Sequence, residues 1–127
     1  MRRIGVISDT HGTFDKPLRD FLADVDEIWH AGDIGSIELA DEIAAFKPLR
    51  AVYGNIDGGD IRRTYPELNR FTIEETDVLI KHIGGYPGHY DTSIRQRLFV
   101  RPPRLFVCGH SHILKVQYDK TLNMLYI

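Results

Sequence analysis

Cysteine is nearly missing from the 127-residue chain, and the single Cys108 excludes an internal disulfide framework and fits a reducing, cytoplasmic setting. No apolar run approaches the ~20 residues of a membrane-spanning helix. Met1-Arg2-Arg3 is positive, but only Ile4 to Ile7 follow before Ser8-Asp9, too short a run for a signal peptide. Surplus charge is lacking as well. Sixteen Lys and Arg stand against 18 Asp and Glu, and a pI near 6.3 argues against a protein that coats nucleic acid by charge alone. With 43% hydrophobic and 27% charged residues the composition is globular rather than disordered. The length predicts one domain over residues 1–127, able to bury about two-thirds of its unfolded surface. What the chain does have is six histidines, and neutral imidazole is the commonest metal ligand.

Apolar runs alternate with helical stripes in the first half. Ile4 to Ile7 reads as a buried strand entering a loop. Leu18, Phe21, Leu22 and Val25 fall at helical spacing within residues 15–25, with Pro17 tolerable in the first turn. Glu27 to Ala31 forms a second strand, and Ser36 can cap a second helix with the stripe Ile37, Ala40, Ile43, Ala44 and Phe46, ended by Pro48. Leu49 to Tyr53 is a third strand, so the sequential β-α-β-α-β order calls for parallel pairing. In the second half, Phe71 to Ile73 and Asp77 to Ile83 flank a polar turn and should pair antiparallel. Thr92 to Phe99 is a short helix stopped by Arg101-Pro102-Pro103, and Leu105 to Cys108 is another strand. Val116 to Tyr118 and Leu122 to Ile127 then make a hairpin around Asp119-Lys120-Thr121. The predicted fold is α/β, with a parallel half and an antiparallel half.

Polar residues recur just past these strands: Asp9 and His11, then Asp33, then Asn55, then His82, then His110 and His112. Ligands of open α/β sheets bind where the carboxyl ends of strands converge. In Asp9-x-His11 and His110-x-His112 an extended backbone sends both side chains to one side. Gly32, Gly54 and Gly109 allow tight turns, so the loops can approach one another. Any one of these residues alone has a structural reading: aspartates after strands cap turns, and His82 could be a hydrogen-bonded core residue. Separate strand ends that all deliver ligands are harder to assign to chance. Seven oxygen and nitrogen donors exceed the four of one tetrahedral zinc site and suit two adjacent cations, with Asp33 at the central strand as the bridge. Without thiolate, such a set favours manganese, iron, zinc or magnesium, and two close metals suit phosphoryl displacement on an ester.

Asp9-Thr10-His11, Gly32-Asp33, Gly54-Asn55-Ile56-Asp57, His82 and Gly109-His110-Ser111-His112 resemble, in order and spacing, the motifs of the calcineurin-like metallophosphoesterases. The likeness spans residues 4–112, and the small size is most similar to the compact bacterial and archaeal phosphodiesterases, a group that also resembles the retromer scaffold subunit. The resemblance implies two β-sheets packed face to face and flanked by helices. It implies that Asp9, His11 and His112 hold one metal and Asn55, His82 and His110 the other, with Asp33 bridging. Asn55, His82 and His110 would also carry catalysis. Many members place a histidine two residues after the asparagine, where it can protonate the leaving group. Here that residue is Asp57, either an acid or an organiser of the turn. Relatives usually have glycine directly after the His82 position, whereas here Ile83 intervenes before Gly84. They also continue beyond the last strand, so strands past Ile127 are expected to be lacking.

Of the other histidines, His30 inside the second strand reads as architectural, and His89 in the glycine-rich loop is a candidate proton donor or phosphate contact. Arg62 and Arg63 read as a solvated face. The leading reading is a phosphodiesterase acting through a metal-bridging hydroxide, with Mn2+ as first choice and Mg2+, Zn2+, Fe or Ni2+ as alternatives. Its partner would be a small phosphate-ester substrate, not a membrane or nucleic acid, and a homo-oligomer is compatible with it. A catalytically weak interaction scaffold on the same fold is the second reading, with Tyr86, Tyr90 or Phe99 as its docking patch.

Overall fold

Strands that bury both faces need cover on both sides, and the chain supplies it in four layers. The computed structural model describes residues 2–111 and 116–127. Its first sheet has the order β1 (Ile4–Ile7), β2 (Glu27–His30), β3 (Leu49–Ala51), and both pairings are parallel. The second sheet runs β4 (Leu68–Ile73), β5 (Thr76–Lys81), β8 (Leu105–Cys108), β10 (Met124–Tyr126), β9 (Gln117–Asp119). A separate hairpin joins β6 (Gly85–Tyr86) to β7 (His89–Tyr90).

Side chains alternate across these strands as the two-residue period requires. From the first sheet Trp29, Ala31 and Val52 meet Val78, Ile80 and Val107 of the second, forming the inter-sheet core. Trp29 stands edge-on to Phe71, ring centroids 5.1 Å apart. Ile28 and Ala51 point the other way, onto Leu22, Leu39, Ala40 and Ile43 of the helical side. Leu79, Phe106 and Met124 face Ile94 and Leu98 of α4 (Thr92–Val100). The expected two-sheet sandwich flanked by helices is therefore the architecture found.

The helices follow their caps. Asp15 accepts from Leu18 N at 3.1 Å to start α1 (Lys16–Phe21), with Pro17 in its first turn. Ser36 accepts from Leu39 N at 3.1 Å to start α2 (Ile37–Phe46). The helix expected over 15–25 is shorter than its apolar spacing suggests, and Phe21, placed in its buried stripe, is 74% exposed. A further helix, α3 (Gly59–Thr64), has too little apolar content to show a stripe and buries only Ile61.

The second sheet departs from expectation. β4 and β5 pair antiparallel, and so do β10 and β9, but β5–β8 and β8–β10 are parallel. The half expected to be antiparallel is mixed, because β10 inserts beside β8 before its hairpin partner closes the edge. Asp119 turns that hairpin by accepting from Thr121 N and Leu122 N through Oδ1. Of the aromatic residues proposed as a docking patch, Tyr86 and Phe99 are exposed while Tyr90 is buried against Phe106 and Tyr126. Among the described residues no helix is long and apolar enough to cross a membrane.

This layering predicts unequal truncation costs. Ile80→Ala, in the dry layer between the sheets, should lose about 2–5 kcal/mol in urea unfolding. Val100→Ala, at a position 77% exposed, should change stability by no more than about 0.5 kcal/mol. Equal losses would contradict this placement of the core.

Candidate metal centre

Strand ends from both sheets converge on one rim. Asp9 and His11 follow β1, Asp33 follows β2, Asn55 follows β3, His82 follows β5 and His110 follows β8. The parallel pairing continues past β1 and β2 through Asp9 N→Gly32 O (2.9 Å), His11 N→Asp33 O (3.1 Å) and Gly12 N→Ile34 O (2.8 Å), so the two loops are held as one piece. In the second sheet Gly109 N donates to His82 O at 3.0 Å in the same way. Across the sheets, His110 N donates to Asp9 Oδ2 at 3.1 Å. Gly54 permits the close approach of the third loop, since a Cβ there would lie 2.0 Å from Asp33 Oδ1.

Two donor sets result. Asp9, His11 and Asp33 offer ligand atoms within 4.8 Å of one another, and so do Asp33, His82 and His110. Asp33 belongs to both. Its Oδ2 stands 3.2 Å from His82 Nε2 and 4.0 Å from His11 Nε2. Atoms bound about 2.1 Å from a shared ion stand about 3.0–3.4 Å apart, so the spacing around His82 fits a common cation.

The tautomer of His82 sharpens this fit. Its Nδ1 lies 2.7 Å from Ala31 O, an acceptor, so Nδ1 carries the proton. Nε2 is left facing Asn55 Oδ1 at 2.9 Å and Asp33 Oδ2 at 3.2 Å, and it is the ring nitrogen that could bind a cation. A cation among these three atoms would take the Nε2 lone pair together with the two oxygens, while the Nδ1 bond fixes the ring. Asp33 and His82 are buried, whereas His11 and His110 are exposed, which leaves the open side of both donor sets toward solvent. His112, the remaining expected ligand, lies outside the described residues.

Backbone strain is concentrated on the same residues. Asp9, His11, Asp33 and His110 have φ of 55°, 50°, 59° and 70°. Left-handed conformations cost an L-residue about 1–2 kcal/mol each, and persist where surrounding structure imposes them. No residue-type pattern in the sequence reveals this.

Supporting residues hold the loops. His30, fully buried, accepts from Gly32 N on Nδ1 at 3.0 Å, so its proton sits on Nε2 and goes to Thr10 Oγ1 at 2.9 Å. Thr10 Oγ1 donates onward to Ile34 O at 3.0 Å. This architectural histidine thus links the Asp9-Thr10-His11 loop to the Gly32-Asp33 loop. Asp57 does the same for the third loop, accepting from Gly54 N (2.8 Å), Ile34 N (3.1 Å) and Gly35 N (3.0 Å). These are the bonds of a turn organiser. His89 belongs to neither donor set, and its ring lies 5.0 Å from that of Tyr86. Arg63 is exposed and pairs with Asp60, as a solvated face requires, but Arg62 stacks 4.5 Å over the Tyr53 ring and bonds Asp57 O at 2.7 Å. Sequence reasoning passed over Thr10, Tyr53 and Lys81. Lys81 could have been noticed as a charge in an otherwise apolar strand run, immediately before His82.

Burial pushes His30 down to about 4, with nearby Asp57 and Asp9 opposing the shift. The folded state therefore stays neutral there while the unfolded histidine gains a proton below about 6.5. Stability of metal-free protein should be fully held above pH 6.5 and fall as pH drops toward 4, at up to about 1.4 kcal/mol per pH unit. His30→Gln should flatten this slope in urea titrations. At His11, whose side chain is 44% exposed, His11→Gly removes strain with little packing loss. Its melting temperature without metal should rise by about 2–6 °C, while the increment on adding Mn2+ or Zn2+ shrinks. A variant that melts lower without metal would contradict the strain account.

Comparison with known proteins gives the family and the fold. The family model described as the calcineurin-like phosphoesterase superfamily domain matches residues 1–127. A probable metallophosphoesterase of Methanothermobacter thermautotrophicus is 32% identical over 114 residues, covering 86% of this chain, and the chain spans 66% of that relative's length. Vacuolar protein sorting 29 from Cryptosporidium parvum shares the fold at a TM-score of 0.77 and 20% identity, over 99% of this chain and 72% of its own. A novel archaeal phosphodiesterase shares it at 0.74 and 22% identity, over 98% and 81%. With matched motifs, two-sheet architecture and paired donor sets in agreement, the chain belongs to the calcineurin-like phosphoesterase superfamily.

Proposed function

We propose that this chain is a two-metal phosphodiesterase. The observation that carries the reading is the sharing of Asp33 by two three-residue donor sets. Asp9, His11 and Asp33 would hold one divalent cation, and Asp33, His82 and His110 the other, with Asn55 beside His82 and His112 completing the first set. Oxygen and imidazole donors suit Mn2+ first, with Mg2+, Zn2+, Fe or Ni2+ as alternatives. Bound cations would supply Lewis-acid charge to the phosphoryl oxygens and acidify water at neutral pH.

The chain's own residues set the stage for that chemistry. Ala31 O fixes the His82 ring so that Nε2 alone faces the rim. Asp57 and Arg62 hold the turn that carries Asn55, whose Oδ1 stands beside His82 Nε2. Exposed His11 and His110 mark the side from which an ester would enter. Asp57 is engaged with backbone donors, so the leaving oxygen has no assigned acid among the described residues, and alcohols of low pKa should leave most readily.

Mn2+-loaded protein should therefore hydrolyse an aryl phosphodiester, lose activity with a chelator and regain it with metal. Asp33→Asn should lower the rate by at least about 100-fold, since it weakens both donor sets at once. Wild-type turnover no greater than that of Asp33→Asn would contradict the reading.

A further inference from the structure

A cavity of about 360 Å³ adjoins the candidate metal centre and shares two of its residues, Asn55 and His82. That volume lies at the lower end of small-molecule sites, which span about 300–1,000 Å³. Its remaining walls include Tyr53, Arg62, Glu67 and Lys81, so two cations face one carboxylate. Lys81 is only 6% exposed. Its ammonium donates to Ile83 O at 3.0 Å and forms an ion pair with Glu67 at 3.8 Å, longer than a hydrogen bond. An anionic acceptor within hydrogen-bond length would add a charge-assisted bond to this buried ammonium.

Arg62 reaches the same space already oriented. Its guanidinium lies over the Tyr53 ring, and Nε is fixed by Asp57 O at 2.7 Å. Among the described residues Nη2 has a single long contact, 3.5 Å to Gly54 O. The planar fork is therefore held by the turn that carries Asn55, with its outer nitrogens available to a doubly charged oxyanion. Glu67, whose side chain is 60% exposed, can turn toward solvent when an anion arrives.

The geometry points to Arg62 and Lys81 as a subsite for a second phosphate group on the substrate, beside the phosphorus that the Asn55 and His82 side of the centre would receive. This inference rests on the phosphoesterase reading and narrows its substrates to esters that carry another phosphate. Specificity would come from a pocket of opposite charge placed next to the reacting group.

The test has a binding arm and a kinetic arm. In the first, the full chain without added metal is titrated with inorganic phosphate while the Arg62 Nε–H resonance is followed by NMR. A saturable shift is expected, and Lys81→Met, which keeps the apolar stem, should weaken binding at least tenfold; Lys81→Gln serves where the methionine variant misfolds by circular dichroism. A resonance that does not move, or variants that bind as well as wild type, would overturn the subsite. In the second arm, Mn2+-loaded protein is given an aryl diester with a phosphonoethyl arm and its ethyl counterpart. Wild type should prefer the former by about tenfold in kcat/KM, and the Lys81 variant should lose that preference. An equal preference in both proteins overturns the subsite while leaving phosphoesterase activity intact. Phosphate bound at Arg62 without hydrolysis of either ester would leave an anion site there but sink the phosphoesterase reading, and with it the role as a second-phosphate subsite.

Discussion

The bond from His82 Nδ1–H to Ala31 O, 2.7 Å long, is the constraint on which the rest depends. It crosses from the second sheet to the first, and so couples their relative position to the orientation of a single imidazole. Gly32 makes room for it, because a Cβ there would lie 2.6 Å from His82 Nδ1. With Nδ1 committed to Ala31 O, Nε2 is the ring nitrogen turned toward Asp33 and Asn55. The inter-sheet core of Trp29, Val52, Val78, Ile80 and Val107 then acts as the rigid body that keeps those strand ends opposed.

Around that bond, stability is given up locally and restored by neighbouring loops. Four candidate ligands hold left-handed backbone; the loops of Asp9, His11 and Asp33 are fastened by His30, Thr10 and Asp57, and His110 by its N–H bond to Asp9 Oδ2. These fastening residues are buried or partly buried polar groups whose partners are mostly backbone atoms, so each loop is fixed by position and not by side-chain identity alone. A site assembled from strained loops on two rigid sheets is preorganised before any ion arrives.

Much of this was legible because the sequence places polar residues at the ends of apolar runs, and a sheet must gather those ends on one rim. That is why Asp9, Asp33, Asn55, His82 and His110 could be named together, and why His30, inside a strand, read as architectural. The mixed second sheet was not legible. Leu105 to Cys108 and Met124 to Tyr126 are short apolar runs, and nothing in their pattern says that they lie parallel beside each other. α3 escaped because it buries one residue, and the value of Arg62 and Lys81 depends on a cavity that forms only when Tyr53, Asn55 and His82 converge.

The central claim is that one carboxylate serves two ions. Crystals of the Mn2+-loaded protein, measured at the manganese absorption edge, test it most directly. The account predicts two anomalous peaks about 3.5–4 Å apart, both within bonding distance of Asp33. A single peak, or a pair that does not share Asp33, would contradict it.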